Sequence, residues 1–292
     1  MAYFMTQWYI FHDLTDQEVL DIQKNLREIG AQHDMNGLIL LASEGCNGTV
    51  AGTAEAIETI RAYLTEQFAA ISFQDWTSDV RPFKRFKVDI RKEIVALKHE
   101  GILPSGNSKH ISPKQFHEMI QREDVTVLDT RNAYETNIGT FENAIDPKLN
   151  SFHEFPNYVE QSNIPKDKPV LMYCTSGIRC EKASEEMAHQ GYKEIYQLDG
   201  GITNYLKEYP EGKWNGECFV FDHRVALDSA LLPSKRYSLC PKCGNPGDVK
   251  TACTACNAQC KLCADCLKQA PPACSKRCRH ELTQNAFDKS GK

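Results

Sequence analysis

Two arrangements of cysteine in this chain are spaced for chemistry. The first is Cys174-Thr-Ser-Gly-Ile-Arg-Cys180, which follows the apolar run Pro169-Val-Leu-Met-Tyr173 and precedes Glu181-Lys-Ala-Ser184. A short loop between a buried strand and a helix turns its backbone N–H groups inward as an anion-binding nest. The helix adds the positive end of its dipole, and Arg179 adds a full charge. All three favour thiolate over thiol at Cys174, which makes it a nucleophile at neutral pH. Gly177 lets the backbone close against a ligand. Cys174 and Arg179 are therefore candidate catalytic residues, and Thr175, Ser176, Gly177 and Ile178 are the candidate anion-binding loop. Cys180 stands at the start of the helix, where it also feels the dipole. It could resolve an oxidised or persulfidated Cys174 by forming a disulfide, or could itself be the main nucleophile.

The second arrangement fills the C-terminal quarter. Nine of the thirteen cysteines lie between Cys240 and Cys278: Cys240, Cys243, Cys253, Cys256, Cys260, Cys263, Cys266, Cys274 and Cys278. Two thiolates three apart on a turn grip one tetrahedral zinc, so each CxxC is a half-site. Nine cysteines suffice for two four-cysteine structural zinc sites with one left over. Spacing alone does not say which four share an ion, and iron–sulfur ligation is the alternative. His280 reads as a surface or phosphate-contacting residue rather than a ligand. Dense CxxC pairs behind a long cysteine-poor body are the pattern of metal ligands in a reducing compartment, not of a disulfide scaffold.

These residues need elements to hold them. Within 1–100, Gln7–Phe11 reads as a strand and Thr15–Ile29 as a helix closed by Gly30. Leu38–Ala42 reads as a strand, Ser43–Gly48 as a turn and Thr49–Ala51 as a strand. A helix capped by Thr53 follows, then strands near Ile71–Trp76 and Arg85–Ile90. The order βαββαβ predicts a ferredoxin-like, acylphosphatase-like α+β sandwich. Residues 101–111 are rich in turn formers and read as a linker. Within 112–212, Ser112-Pro-Lys-Gln115 opens a helix with a capping box. Val125–Leu128, Pro169–Tyr173 and Glu194–Leu198 are strands, and Ala183–Gln190 is helical. That alternation predicts a parallel α/β sheet with its active site beyond the carboxyl ends of the strands. Residues 213–292 have little apolar periodicity, so metal must replace a core there.

The chain has 292 residues, 41% hydrophobic and 25% charged, with a formal charge of −5. Nucleic-acid contact would therefore need a local basic patch. One exists: Arg81-Pro-Phe-Lys-Arg-Phe-Lys-Val-Asp-Ile-Arg-Lys92 has six basic residues against one acid, with Phe83 and Phe86 interleaved. Arg81, Lys84, Arg85 and Lys87 are candidate phosphate contacts, and the phenylalanines could stack an unpaired base. A lysine- and arginine-guarded edge strand would look the same. From Lys261 onward seven Lys/Arg face three acids, a second electrostatic handle. No apolar run approaches the ~18 residues of a spanning helix, and the N-terminus lacks the basic start of a leader. A cytoplasmic protein with no membrane association is expected.

Val127-Leu-Asp-Thr-Arg-Asn-Ala-Tyr-Glu135 with Gly139, the Cys174 loop and Leu198-Asp-Gly-Gly-Ile202 together resemble the rhodanese superfamily. There the loop cysteine carries a persulfide, and Asp129 and Arg131 would brace the loops. The resemblance narrows with Cys174–Ser184, Ser43-Glu-Gly-Cys-Asn-Gly-Thr-Val-Ala-Gly52, Pro82-Phe-Lys-Arg-Phe-Lys-Val88 and Lys92-Glu-Ile-Val95. These are similar to the rhodanese-domain tRNA wobble-uridine hydroxylases, over nearly the whole chain and in the same order. Two positions depart: Ser176 stands where that loop usually has glycine, and Cys46, read as a small core residue, where an aliphatic one is expected.

The resemblance implies a rhodanese-like central domain and an oxidoreductase that converts the wobble uridine in the tRNA anticodon loop to 5-hydroxyuridine. Molecular oxygen would be co-substrate and zinc structural. No organic cofactor motif and no obligate protein partner is evident. The loop alone supports an alternative, a sulfurtransferase passing sulfur from Cys174 to cyanide, a thiol or tRNA. A non-catalytic zinc adaptor is a third reading, which the intact Cys174 and Arg179 argue against.

Overall fold

Thr15 and Thr53 each accept a backbone N–H three residues on, and each starts a helix packed on one face of a sheet. The computed structural model describes residues 2–105 and 109–290. Its first unit contains β1 (Tyr3–Phe11), α1 (Asp16–Gln32), β2 (Asn36–Ala42), β3 (Gly45–Gly52), α2 (Ala54–Gln67), β4 (Gln74–Ser78) and β5 (Phe86–Ile90). The sheet order β4-β1-β3-β2 is the ferredoxin-like arrangement, extended by β5 parallel to β2. Val19, Ile22 and Leu26 of α1 and Ile57, Ile60 and Leu64 of α2 meet Trp8, Ile39, Leu41 and Val50 in the core. Cys46 lies in that core and accepts the Trp8 indole N–H at 3.3 Å.

Gly30 does not close α1. The helix runs on to Gln32, and the ring of Phe86 lies against Gly30, where a Cβ would sit 2.2 Å from a ring carbon. The expected six-residue turn at 43–48 is also tighter, since β3 starts at Gly45.

The second unit is a four-stranded parallel sheet of order β6-β10-β9-β7, from β6 (Lys109–Ile111), β7 (Thr126–Asp129), β9 (Val170–Tyr173) and β10 (Ile195–Leu198). Both faces are covered, as a parallel sheet requires. Val170 and Met172 face α5 (Phe155–Gln161) and α6 (Ile178–His189), while Leu171 and Tyr173 face α3 (Pro113–Met119) and α7 (Gly201–Glu208). The short α4 (Ala133–Thr136) and β8 (Gly139–Phe141) lie between β7 and α5. Ser112 and Gln115 form the expected capping box. The turn-rich stretch before them gives way to strand at Lys109, and 106–108 of the expected linker lie outside the described residues.

The remainder begins inside the second unit's core. In β11 (Trp214–Gly216), Trp214 packs on Phe141 and Tyr173, and β11 pairs with β8. The chain continues through β12 (Cys218–Phe219), β13 (Ala226–Leu227), β14 (Ser238–Leu239), β15 (Pro246–Gly247), β16 (Val249–Ala252), β17 (Gln259–Leu262), α8 (Ala264–Gln269) and α9 (Lys276–Ser290).

One buried ion triad joins the first two units. The Lys182 ammonium on α6 donates to Glu44 Oε2 at 2.8 Å and Glu93 Oε2 at 2.7 Å, while Glu44 Oε1 accepts the Ile94 N–H. Replacing Lys182 by Ala strands the buried Glu44 carboxylate, while Glu93, 21% exposed, keeps water and the Leu97 and Lys98 N–H groups. A loss of about 3–5 kcal/mol is expected in urea unfolding, with part recovered when Glu44 is also changed to Gln.

Candidate active site and metal centres

The loop after β9 is shorter than its sequence suggests, because α6 already begins at Ile178. Gly177 precedes it at φ +105°, a conformation open to glycine, and donates its N–H to Cys174 Sγ at 3.1 Å. Burial pushes the Cys174 thiol up. A hydrogen bond from the Cys180 thiol, the Arg179 charge and the N–H groups of Arg179 and Ser176 more than offset it, and the thiol falls to about 6. Cys174 is therefore largely thiolate at neutral pH. Cys180 behaves oppositely. Burial and the adjacent Cys174 charge raise its thiol well above the ordinary range, and the helix dipole does not rescue it. It has no exposed surface and contacts Thr130 Oγ1 at 3.6 Å. This division leaves the negative charge of the pair on Cys174, with the Cys180 thiol as its hydrogen-bond donor.

Arg179 is not a free charge. Its guanidinium grips Glu135 of α4 in a bidentate fork at 2.5 and 2.7 Å. Burial would raise the Glu135 carboxyl, but Arg179 holds it below the usual range. The fork ties α4 to α6 across the loop. Nothing local in the sequence marks Glu135 as the partner, 44 residues away. Asp129 and Arg131 form a second buried fork, with Arg131 Nη2 also donating to the Gly139 carbonyl at 2.7 Å. It braces the base of the loop and stays out of the cavity above it.

That cavity has a volume of about 340 Å³. Its floor is Cys174, Thr175, Ser176, Ile178 and Arg179. One wall is the helix-free face of the first sheet, with Gln7, Leu38, Leu40, Asn47 and Thr49. Trp76 and Phe83 form a second wall, and Phe221, Asp222 and Arg224 a third. The size suits a small organic ligand held between aromatic faces. Of the basic strip, Phe83 enters the cavity and Phe86 packs in the first unit's core, so only one of the two aromatics is free to stack. Arg81, Lys84, Arg85 and Lys87 are exposed and lie outside the cavity. Trp76, Asn47 and Phe221 are residues the sequence did not single out, because their approach to Cys174 depends on how the units pack.

The tail brings eight cysteines into two clusters. Cys240, Cys243, Cys263 and Cys266 form one, and Cys253, Cys256, Cys274 and Cys278 the other; sulfurs in each lie within 4.8 Å of one another. Cys243–Cys263 and Cys256–Cys274 are 3.6 Å apart, and Cys278 lies 3.7 Å from Cys256 and Cys274. A tetrahedron with metal–sulfur bonds of ~2.3 Å has an edge of ~3.8 Å, so the sulfurs already stand where one ion needs them. The pairs interleave: first with third, second with fourth. Cys260 is a correction to the expected ligand set. It sits on β17 opposite Thr251 and belongs to neither group of four. His280 is exposed and hydrogen-bonds Gln284.

Three family models match the chain in succession. Residues 3–94 match the family model of a UPF0176 acylphosphatase-like domain, 112–208 a rhodanese-like domain and 215–279 a rhodanese C-terminal region. Three curated relatives are each named tRNA uridine(34) hydroxylase. That of Bdellovibrio bacteriovorus is 42% identical over 299 residues, covering 100% of this chain and 85% of its own. That of a Picosynechococcus species is 40% identical, covering 94% and 92%. That of Acinetobacter baylyi is 42% identical, covering 82% and 76%.

Two outcomes are expected. The rate of Cys174 alkylation by iodoacetamide should rise through a midpoint near pH 6 and then level off. Cys180→Ala should move that midpoint upward, because the thiolate loses a donor. In metal quantification, Cys260→Ser should keep the full complement while Cys263→Ser loses one ion per chain.

Proposed function

Given that the chain belongs to the tRNA uridine(34) hydroxylase family, we propose that it converts the wobble uridine of tRNA to 5-hydroxyuridine in the cytoplasm. It is an oxidoreductase acting on tRNA. The observation that carries the site assignment is the thiolate of Cys174 on the floor of an aromatic-walled cavity large enough for a pyrimidine. A wobble base lies in a single-stranded loop and reaches such a cavity without melting a duplex.

In this reading Cys174 meets the base, Cys180 and Arg179 hold its charge state, and Thr175, Ser176, Gly177 and Ile178 form the nest around the sulfur. Phe83 and Phe221 offer stacking faces. Arg81, Lys84, Arg85 and Lys87 contact phosphates outside the cavity, which fits their exposure. The units at 1–100 and 213–292 grip the anticodon arm around the central one at 112–212. Exchange of C5–H for C5–OH removes two electrons from the ring. With molecular oxygen as co-substrate, one atom enters the base and the other leaves as water, its two electrons coming from a pair of thiols that become a disulfide.

The two cysteine clusters fit zinc by ligand type and spacing, with Cys240, Cys243, Cys263 and Cys266 holding one ion and Cys253, Cys256, Cys274 and Cys278 the other. Zinc there supplies folding energy rather than redox chemistry.

The test is nucleoside mass spectrometry of tRNA from cells lacking the protein. Nucleosides derived from 5-hydroxyuridine should disappear and return with the wild-type chain, but not with Cys174→Ala. Unchanged nucleosides, together with thiocyanate formation from thiosulfate and cyanide by the purified protein, would replace this reading with a sulfurtransferase.

A further inference from the structure

Four aromatic side chains among the described residues line the cavity above Cys174. Phe152 is buried, and Trp76 and Phe83 are half-buried, but Phe221 is 62% exposed. Its ring both lines the cavity and stands out from it, which places it at the rim. The turn that carries it is firmly built. The Val220 N–H donates to the Val225 carbonyl and the Val225 N–H to the Asp222 carbonyl, each at 3.0 Å. Asp222 and Arg224 close their buried fork within the same turn. Val220, Asp222, Arg224 and Val225 are all buried, while Phe221 and His223 are turned out. Val225 sits at φ +67°, a left-handed conformation that strains a β-branched side chain. Such strain persists only where the surrounding structure imposes it, and it clusters at sites of use. The His223 N–H then ties the turn to the first unit, donating to the Pro82 carbonyl at 2.8 Å. That bond joins the turn to the exposed strip of Arg81, Lys84, Arg85 and Lys87. The Phe221 ring itself meets the Arg179 guanidinium, 5.8 Å from the ring centre, and Phe219 edge to face at 5.0 Å.

We propose that Phe221 stacks on a base flanking the wobble uridine, taking the place the uridine vacates when it enters the cavity. This rests on the tRNA reading of the site and adds the contact that keeps the uridine out of its own stack. A base drawn from a stack leaves its neighbour without a partner, at a cost that the protein must offset. An aromatic ring beside a basic strip does so for single-stranded nucleic acid: the ring takes a base and the cations take the phosphates around it. Phe221 has that placement, with the cavity at its foot and the strip bonded to its own turn. Its exposure lets a base reach it without displacing any protein group. A ring that served only to close the cavity would be covered, as Phe152 is. The Arg179 contact and the edge of Phe219 fix the ring's orientation before RNA arrives, so little side-chain entropy is lost on stacking. Phe221 holds the neighbour rather than the reacting base, which makes it a positioning residue.

The experiment measures binding of three anticodon stem-loop RNAs at one fixed salt concentration: one intact, one abasic on the 5′ side of the wobble uridine and one abasic on its 3′ side. The full-length wild-type chain is compared with Phe221→Leu, which keeps an apolar side chain over Arg179 but has no aromatic face, and with Phe221→Trp, which restores one. Cys174 alkylation is followed in each variant as a check on the loop. In the wild-type chain, removing one of the two flanking bases should weaken binding by about tenfold to a hundredfold, and the side that matters identifies the stacked base. Phe221→Leu should bind the intact RNA more weakly by a similar factor and be indifferent to that removal. Phe221→Trp should regain the dependence. If the wild-type chain forms 5-hydroxyuridine but neither removal weakens its binding, or the same removal costs Phe221→Leu as much, the inference is overturned and the tRNA reading stands. If the wild-type chain neither forms 5-hydroxyuridine nor binds the intact RNA, the tRNA reading falls and takes the inference with it.

Discussion

A sulfur anion in a site 1% exposed to solvent has lost the water that would stabilise it, and much of this structure replaces that water. The Gly177 N–H points at the sulfur, the N–H groups of Ser176 and Arg179 add to it, and Cys180 contributes a thiol proton. None of these donors can be placed without the left-handed turn at Gly177 and the immediate start of α6 at Ile178. Arg179 supplies charge from the same turn, and Glu135 fixes its direction at the cost of part of its field. The result is a charged sulfur held by fixed dipoles, an environment that needs little reorganisation to keep the charge in place.

Such a sulfur is reactive toward many partners, so the cavity above it has to choose. The central unit supplies the floor and little else. The walls come from the face of the first sheet that its own helices leave bare, and from the segment 220–224. A sheet with one face open to another unit is normal for antiparallel strands, but here the open face carries Gln7, Asn47 and Thr49 between Leu38 and Leu40. The Lys182 triad, the Tyr9 hydroxyl donating to Glu181 and the His223 N–H donating to the Pro82 carbonyl hold these walls over the loop.

What the sequence disclosed followed the range of each interaction. The Cys174 loop, the Ser112 capping box and the CxxC half-sites are written within a few residues, and their local geometry follows from that spacing. The sheet of the first unit was readable from alternating periodicities. Pairing across distance was not. Glu135 and Arg179, or Phe86 and Gly30, have no local signature, so Gly30 looked like a helix stop and Phe86 like a base-stacking residue. Cys260 has the spacing of a ligand, and only the assembled clusters leave it out. Cys180 looked activated by its helix position because burial, the larger effect at that site, is invisible until the core is assembled.

The interleaved metal clusters bear on the cavity as well as on the tail. Each cluster is joined by little apolar surface: Leu262 with one, Ala273 and Leu282 with the other. Burial of so few side chains yields only a few kcal/mol, whereas a structural tetracysteine site contributes roughly 10–16 kcal/mol to folding. Because the first half-site pairs with the third and the second with the fourth, each cluster closes a loop that carries part of the other, and the two clusters form one body. That body hangs from Trp214, Cys218 and Phe219, which are packed against the central unit, and the chain between those anchors and the first cluster includes the cavity wall at Phe221, Asp222 and Arg224. Arg224 and Asp222 fix the wall through their own fork, so it does not depend on metal for its shape. An RNA loop long enough to reach the sulfur would pass the exposed strip at 81–87, whose Phe83 lines the cavity, and the cavity would receive a base already oriented by its flanking phosphates.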